Sequence, residues 1–430
     1  MATLTLRGGR ILDPSQDLDR VADLHLTDGR VAAVGEAPAD FRAERVLDLA
    51  GYLVLPGLVD LQARLREPGA EHKGTIASET RAAARGGITT LCCPPDTDPV
   101  VDAPAVVELI HQRAERAGCA RVFAEGALTR GLAGEQLAAM QALRDAGCVA
   151  VGNARAPVRD TLVLRRALEY AASLDLPVVI EAEDPWLGAS GWMHEGAVSA
   201  RLGLAGVPAC AEVVAVARDL LLIEQTGVRA HFSQLSTARA AEMVAEARSR
   251  GLPVTADVAA HQLYLTEMDV MAFDNLCHVR PPLRSQRDRE GLRAALADGV
   301  ITAVCSDHQP HDRDAKLAPF SSSEPGIAGL ETLLPLTLRL AEEGVLPLLD
   351  AVAALTTGPA GALRLDAGSL APGSRADVCV LDPEAWWTVT EAALWSAGKN
   401  TPFLGWELKG QVRHTLLEGR LVYDRDGAGA

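Results

Sequence analysis

The chain has 430 residues, 48% apolar and 23% charged, the balance of an ordinary globular protein, which excludes collagen-like, disulfide-scaffold and disordered classes. Lys+Arg 41 against Asp+Glu 57 leaves a formal charge of −16, so there is no basic footprint for a nucleic-acid backbone or an anionic membrane. At roughly 150 residues per domain the length suggests three domains, although α/β barrels routinely run past about 200 residues as one unit.

The first ten residues carry no basic region followed by a long apolar stretch, so no secretion signal is predicted. Segments 4–12, 24–26 and 30–34 alternate apolar and polar residues and are broken by Gly, Asp and Pro. Period-2 alternation with frequent turn residues predicts half-buried antiparallel strands. Segments 376–381, 411–417 and 420–423 read the same way. Residues 1–55 and 365–430 are therefore expected to form one small β domain, a sandwich assembled from both termini.

Residues 56–364 change character. Short apolar runs at 59–65, 88–93, 121–124, 148–152, 177–182, 228–232, 253–257 and 301–305 are mostly separated by Ala-rich amphipathic stretches. The clearest of these are 104–117, 135–146, 209–225, 238–249 and 287–297. Continuous apolar runs suit parallel strands buried on both faces, and eight β-then-α units predict a closed (β/α)8 barrel of the TIM type. An open doubly wound sheet is disfavoured because no Gly-rich dinucleotide fingerprint follows an early strand. No apolar run approaches the ~18–20 residues needed to span a bilayer. The eight cysteines include no C-x-x-C pair and several sit in apolar runs, which predicts free thiols and a cytoplasmic location.

In such a barrel the chemistry lies at the C-terminal ends of the strands. Those ends carry Asp60 to Gly69, Pro94-Pro95-Asp96-Thr97, Gly152-Asn153-Ala154-Arg155, Glu181-Ala182-Glu183-Asp184, His231-Phe232-Ser233-Gln234, Asp257 with His261, and Asp307-His308-Gln309-Pro310-His311. At these residues the chain resembles the dihydroorotase branch of the cyclic amidohydrolases. The resemblance extends through Leu65-Arg66-Glu67-Pro68-Gly69, Met193-His194-Glu195-Gly196, Arg280-Pro281-Pro282-Leu283-Arg284, Gly326 to Thr332 and Asn400-Thr401-Pro402-Phe403. It implies an amidohydrolase barrel whose zinc centre opens the ring amide of dihydroorotate or closes it from carbamoyl aspartate. The metal would lower the pKa of a bound water and polarise the carbonyl.

The resemblance fails at the ligands. The family has an H-x-H pair at the end of the first strand, where alternate side chains reach one ion; here those positions are Gln62 and Arg64. A guanidinium has no lone pair to donate, so Arg64 cannot bind metal. The family's acidic position after the fourth strand falls at Asn153 or Ala154, its fifth-strand His at Glu181, and its sixth-strand His at Gln234. Asp307 alone stands as the family has it, a vestige of the catalytic acid, and no metal is expected. Among substrate-pocket remnants, Arg66 survives where the family pairs Arg with the substrate carboxylate. Asp96 replaces an Asn and would repel an anion, and Arg280 replaces a small polar residue. His261 matches a family residue near the substrate, so a vestigial pocket lining and a plain loop role both stay open.

His308, His311 and His231 are expected to be structural hydrogen-bonders rather than ligands. A mouth retaining Asp307, Glu181 and Asp96 without metal needs counter-charge, so Arg64 is expected to occupy the vacated space and pair with Asp307 or Glu181. The resemblance then implies a catalytically inactive, dihydroorotase-like subunit of pyrimidine synthesis. Its partner would be aspartate transcarbamoylase, the preceding enzyme, in a large hetero-oligomer without nucleic acid or membrane. The alternative is an active zinc-dependent cyclic amidohydrolase, a dihydroorotase or less readily an allantoinase or hydantoinase. That alternative would hold an ion through Glu181, Asp307 and either His308 or His261.

Overall fold

The structure is a computed structural model and describes residues 3–427. Strands Leu58–Asp60, Ile88–Cys93, Arg121–Ala127, Ala150–Gly152, Val178–Ile180, Ala230–Phe232, Val254–Ala259 and Ala303–Cys305 lie side by side in chain order. Every pairing among them is parallel. Closure between the eighth and first strands is made just beyond their ends. Ala63 bridges His308, and the Arg64 and His308 amides donate to the His308 and Gln62 carbonyls at 2.9 and 3.1 Å. This is the expected (β/α)8 barrel of the TIM type.

The eight apolar runs form strands because both of their faces are buried. Val59, Cys92, Ala150, Val179 and Ala303 pack in one cluster inside the ring. Their neighbours Leu58, Leu91, Val151, Val178 and Val304 face outward into the larger core beneath the helices, as period-2 geometry requires. The first strand is shorter than expected, stopping at Asp60 rather than 65. Its carboxylate accepts the backbone N–H groups of Gln62 and Ser306, so the chain leaves the ladder there. The crossover helix Pro104–Ala117 starts on a proline and stops at Gly118 with φ +63°, the usual start and stop chemistry.

Strands from both termini share a single sheet outside the barrel. Val378–Thr388 pairs antiparallel with Leu53–Pro56, which in turn lies parallel to Thr3–Asp13. Leu6, Leu24, Val54, Val378 and Leu416 from the two ends of the chain pack into one core. Among the described residues no helix is long and apolar enough to cross a membrane.

Candidate functional site

Arg64 enters the barrel mouth from just past the first strand and is almost fully buried. Its Nε donates to Asp96 Oδ2 at 2.8 Å, its Nη2 to Glu181 Oε1 at 3.3 Å and its Nη1 to Asp307 Oδ1 at 3.4 Å. It thus meets both expected carboxylates and a third. Burial works against the guanidinium charge, but Asp96, Glu181 and Asp307 outweigh it and raise the Arg64 pKa. Burial likewise opposes the Asp96 carboxylate, and Arg64 overcomes it and holds the group below the usual range. The charge expected at Asp96 to repel a substrate anion is therefore spent on Arg64.

A second guanidinium, missed in the sequence, completes the cluster. Arg155 Nε donates to Glu181 Oε2 at 3.1 Å and its Nη2 to both Asp307 oxygens at 2.9 and 3.0 Å. It stands directly after Ala154, a non-glycine residue at φ +46°. That backbone turn separates the paths of Asn153 and Arg155. Asn153 turns into its own loop, accepting from Thr129 Oγ1 and donating to the Leu132 and Ala156 carbonyls. Ala154 offers no donor atom at all.

Gln234 joins as a neutral link. Its Nε2 donates to Asp307 Oδ1 at 2.6 Å, and its Oε1 accepts from Arg155 Nη2 at 3.3 Å. Gln309 Nε2 adds a further bond to Asp307 Oδ1 at 3.1 Å. Asp307 thus accepts from four side chains at Oδ1, and from Arg155 again at Oδ2. A general base must have a lone pair facing the proton it takes; here only Oδ2 has one to spare, and Arg155 holds that oxygen as well.

The remaining positions are not brought together. Both polar ends of Gln62 are buried without a partner among the described residues, as is His261 Nε2. Burial pushes the His261 pKa down to about 4, which keeps the imidazole neutral. Arg66 turns away from the cluster, donating to the Pro310 carbonyl at 2.9 Å with its Nη2 3.1 Å from His311 Nε2. Arg280 pairs with Glu183 at the rim and also donates to the Gly188 carbonyl. His308 lies between Glu79 and the Gly329 amide, and His231 bonds Asp257 and Thr255. These histidines hydrogen-bond within the fold.

No three His, Cys, Asp or Glu side chains among the described residues converge so as to hold a metal ion. The donors present do not fit zinc: of the family's ligand positions Arg64 is a guanidinium, and Gln62 and Gln234 are amides. The cavity lined by Arg155, Glu181, Gln234 and Arg280 holds about 30 Å³, room for roughly one water molecule.

Glu125 was also missed, because its apolar run seemed to stop at 124. It is fully buried on the third strand, and its Oε1 has no partner among the described residues. Burial, then the nearby Glu181, push its pKa well above the ordinary carboxyl range, against a smaller opposing effect of Arg64. The unfolded chain therefore loses this proton above about pH 4.5 while the folded chain keeps it, so stability falls as pH rises through that range. Glu125→Gln removes the difference. Thermal melts at pH 4, 6 and 8 should show the variant matching the parent at pH 4 and exceeding it at pH 8. A parent at least as stable as the variant at pH 8 would show that Glu125 is ionised in the fold.

Comparison with known proteins adds the following. The family model for dihydro-orotase-like proteins matches residues 51–240, and that for the amidohydrolase family matches 293–423. The chain is 54% identical over 422 residues to a dihydroorotase-like protein of Pseudomonas aeruginosa, covering 98% of this chain and 100% of that one. A dihydroorotase-like protein of Pseudomonas putida is 53% identical over 98% of this chain and 99% of its own length. A dihydroorotase of Syntrophotalea carbinolica is 46% identical over 98% and 99% respectively. Among solved structures, the L-hydantoinase of Arthrobacter aurescens superposes with a TM-score of 0.88 at 24% identity, covering 100% of this chain and 98% of that one.

Proposed function

This chain belongs to the dihydroorotase-like family, and from that premise we propose that it serves pyrimidine synthesis as a non-catalytic subunit. In this reading it is an assembly partner of aspartate transcarbamoylase, in the cytoplasm and in a large hetero-oligomer. One observation carries the proposal. Arg64 sits where a dihydroorotase needs a metal ligand, and with Arg155 it pairs with Glu181 and Asp307, the carboxylates a rearranged site would use.

Two further features support it. The 30 Å³ beside the cluster is far too small for a six-membered ring with a carboxylate. Of the two histidines the active alternative could use, His308 is committed to Glu79. Fold alone does not confer activity, since chemistry resides in the site. A complete barrel with an inert mouth is what a scaffolding role needs.

The test is to mix the full chain with the aspartate transcarbamoylase catalytic subunit of the same organism and measure mass by size-exclusion with light scattering. The two should co-elute as one species heavier than either alone. Separate elution at their individual masses would overturn the assembly role.

A further inference from the structure

Helix Cys210–Thr226 is apolar on its outer face, where a neighbouring helix of the barrel is charged. On Ala238–Ser249 the exposed residues include Arg239, Glu242, Glu246 and Arg248. On Cys210–Thr226 they include Cys210, Val214 at 46% exposure and Leu221 at 64%, with half-buried Ala217 between the last two. A surface helix turns charge to the water, and one that is apolar on all sides is a covered helix. We propose that a second copy of this chain covers it, the two helices packing antiparallel about a two-fold axis.

The spacing is the first argument. Positions 210, 214, 217 and 221 are separated by four, three and four residues, the pattern of a helix–helix seam. That order reads the same from either end. A copy running the opposite way therefore sets Leu221 against Cys210 and Val214 against Ala217, each larger side chain against a smaller one. Interdigitated packing needs that alternation, and a two-fold interface needs a surface complementary to itself.

Charge is the second argument. A two-fold axis brings each charge towards its own copy, and the chain carries −16, so self-association needs a face without net charge. The charges beside this seam are balanced within the chain. Arg218 donates to Asp219 Oδ1 at 2.8 Å and to the Val158 carbonyl at 3.1 Å, and Glu224 pairs with Arg250. On the adjoining helix Thr161–Ser173, Arg165 and Arg166 are balanced by Glu169 and the capping Asp160. A partner of opposite charge has nothing to read here.

Area sets how far the face extends. A stable dimer buries about 800 Å² on each partner, and one helix about 25 Å long and about 10 Å wide supplies less than half of that. The remainder lies beside its first turn. The Asp184 amide donates to the Ala211 carbonyl at 2.8 Å, fixing there the loop that carries exposed Leu187 and Trp186, the latter 72% exposed. Arg159 lies over the Trp186 ring, 5.0 Å from its centre, and exposed Leu162 follows on the adjoining helix.

Sedimentation equilibrium of the full chain alone, at about 10 μM, tests the proposal. The mass should be that of two chains. Val214→Glu with Leu221→Glu, both at exposed positions, should halve it and leave the far-ultraviolet circular dichroism unchanged. Leu221→Cys should form an interchain disulfide with Cys210 of the partner subunit on mild oxidation, and adding Cys210→Ser should abolish it. The measurement needs no transcarbamoylase, so it stands or falls apart from the subunit role. A parent of one chain mass, a dimer unchanged by the two glutamates, or no cross-link would each overturn the proposal. So would a single-chain parent whose glutamate variant alone fails to co-elute with the transcarbamoylase, which would give the face to that enzyme.

Discussion

Arg64→Ala is expected to lower the free energy of unfolding by about 3–5 kcal/mol, the cost of leaving buried charges without their partner. Among the described residues Arg64 is the one cation within 4.0 Å of Asp96. It also shares Glu181 and Asp307, whose side chains are only 8% and 1% exposed. Asp96, at 28% exposure, can recover some hydration when the arginine goes. Glu181 and Asp307 cannot, and among the described residues would keep only Arg155 as counter-charge. The loss measures the penalty on stranded carboxylates rather than the net worth of the cluster, since a well-packed apolar replacement of a whole buried ion network is often neutral.

Arg64→Lys should recover only part of this stability. A lysine is a point charge, whereas the three acceptors here are met by three different nitrogens of a planar fork. Urea unfolding followed by circular dichroism gives the comparison. A loss below about 1 kcal/mol for Arg64→Ala, the scale of a solvated surface pair, would mean that the guanidinium does not hold the mouth together.

The barrel was legible because its strands are buried on two sides. Runs such as Ile88–Cys93 must then be apolar throughout, and length and flanking helices identify them. The ends were less legible. An apolar run continues past the last ladder bond, so the first strand was read to 65 where Asp60 turns the chain away.

At the site, the role of Arg64 followed from charge alone, because retained carboxylates without a metal require a cation. Arg155 did not follow. The family's ligand position falls at Asn153 or Ala154, and the positive φ of Ala154 that accompanies the inward path of Arg155 has no signature in an alanine. A long cation beside two strand-end carboxylates was the available signal. Glu125 was hidden for a different reason. Flanked by Ala124 and Gly126, it looks like the polar end of a strand rather than a protonated acid within the barrel. The exclusion of Arg66 from the cluster was equally invisible, since it depends on the turn at φ +65° that aims it toward His311.

Zinc content and dihydroorotate turnover, measured on one purified sample of the full chain, carry the second large effect. Metal-dependent ring opening requires several lone-pair donors around one ion and a carboxylate free to move a proton. Of the family's ligand positions, Gln62 and Gln234 are amides, Arg64 is a guanidinium, Asn153 is turned into its loop and Ala154 has no side-chain donor. Glu181 and Asp307 remain, and both are held by two arginines. Zinc supplied in excess should therefore be removed by simple desalting, leaving well under one ion per chain and no ring opening in either direction. Stoichiometric zinc that survives desalting, with turnover that Asp307→Asn abolishes, would contradict the account.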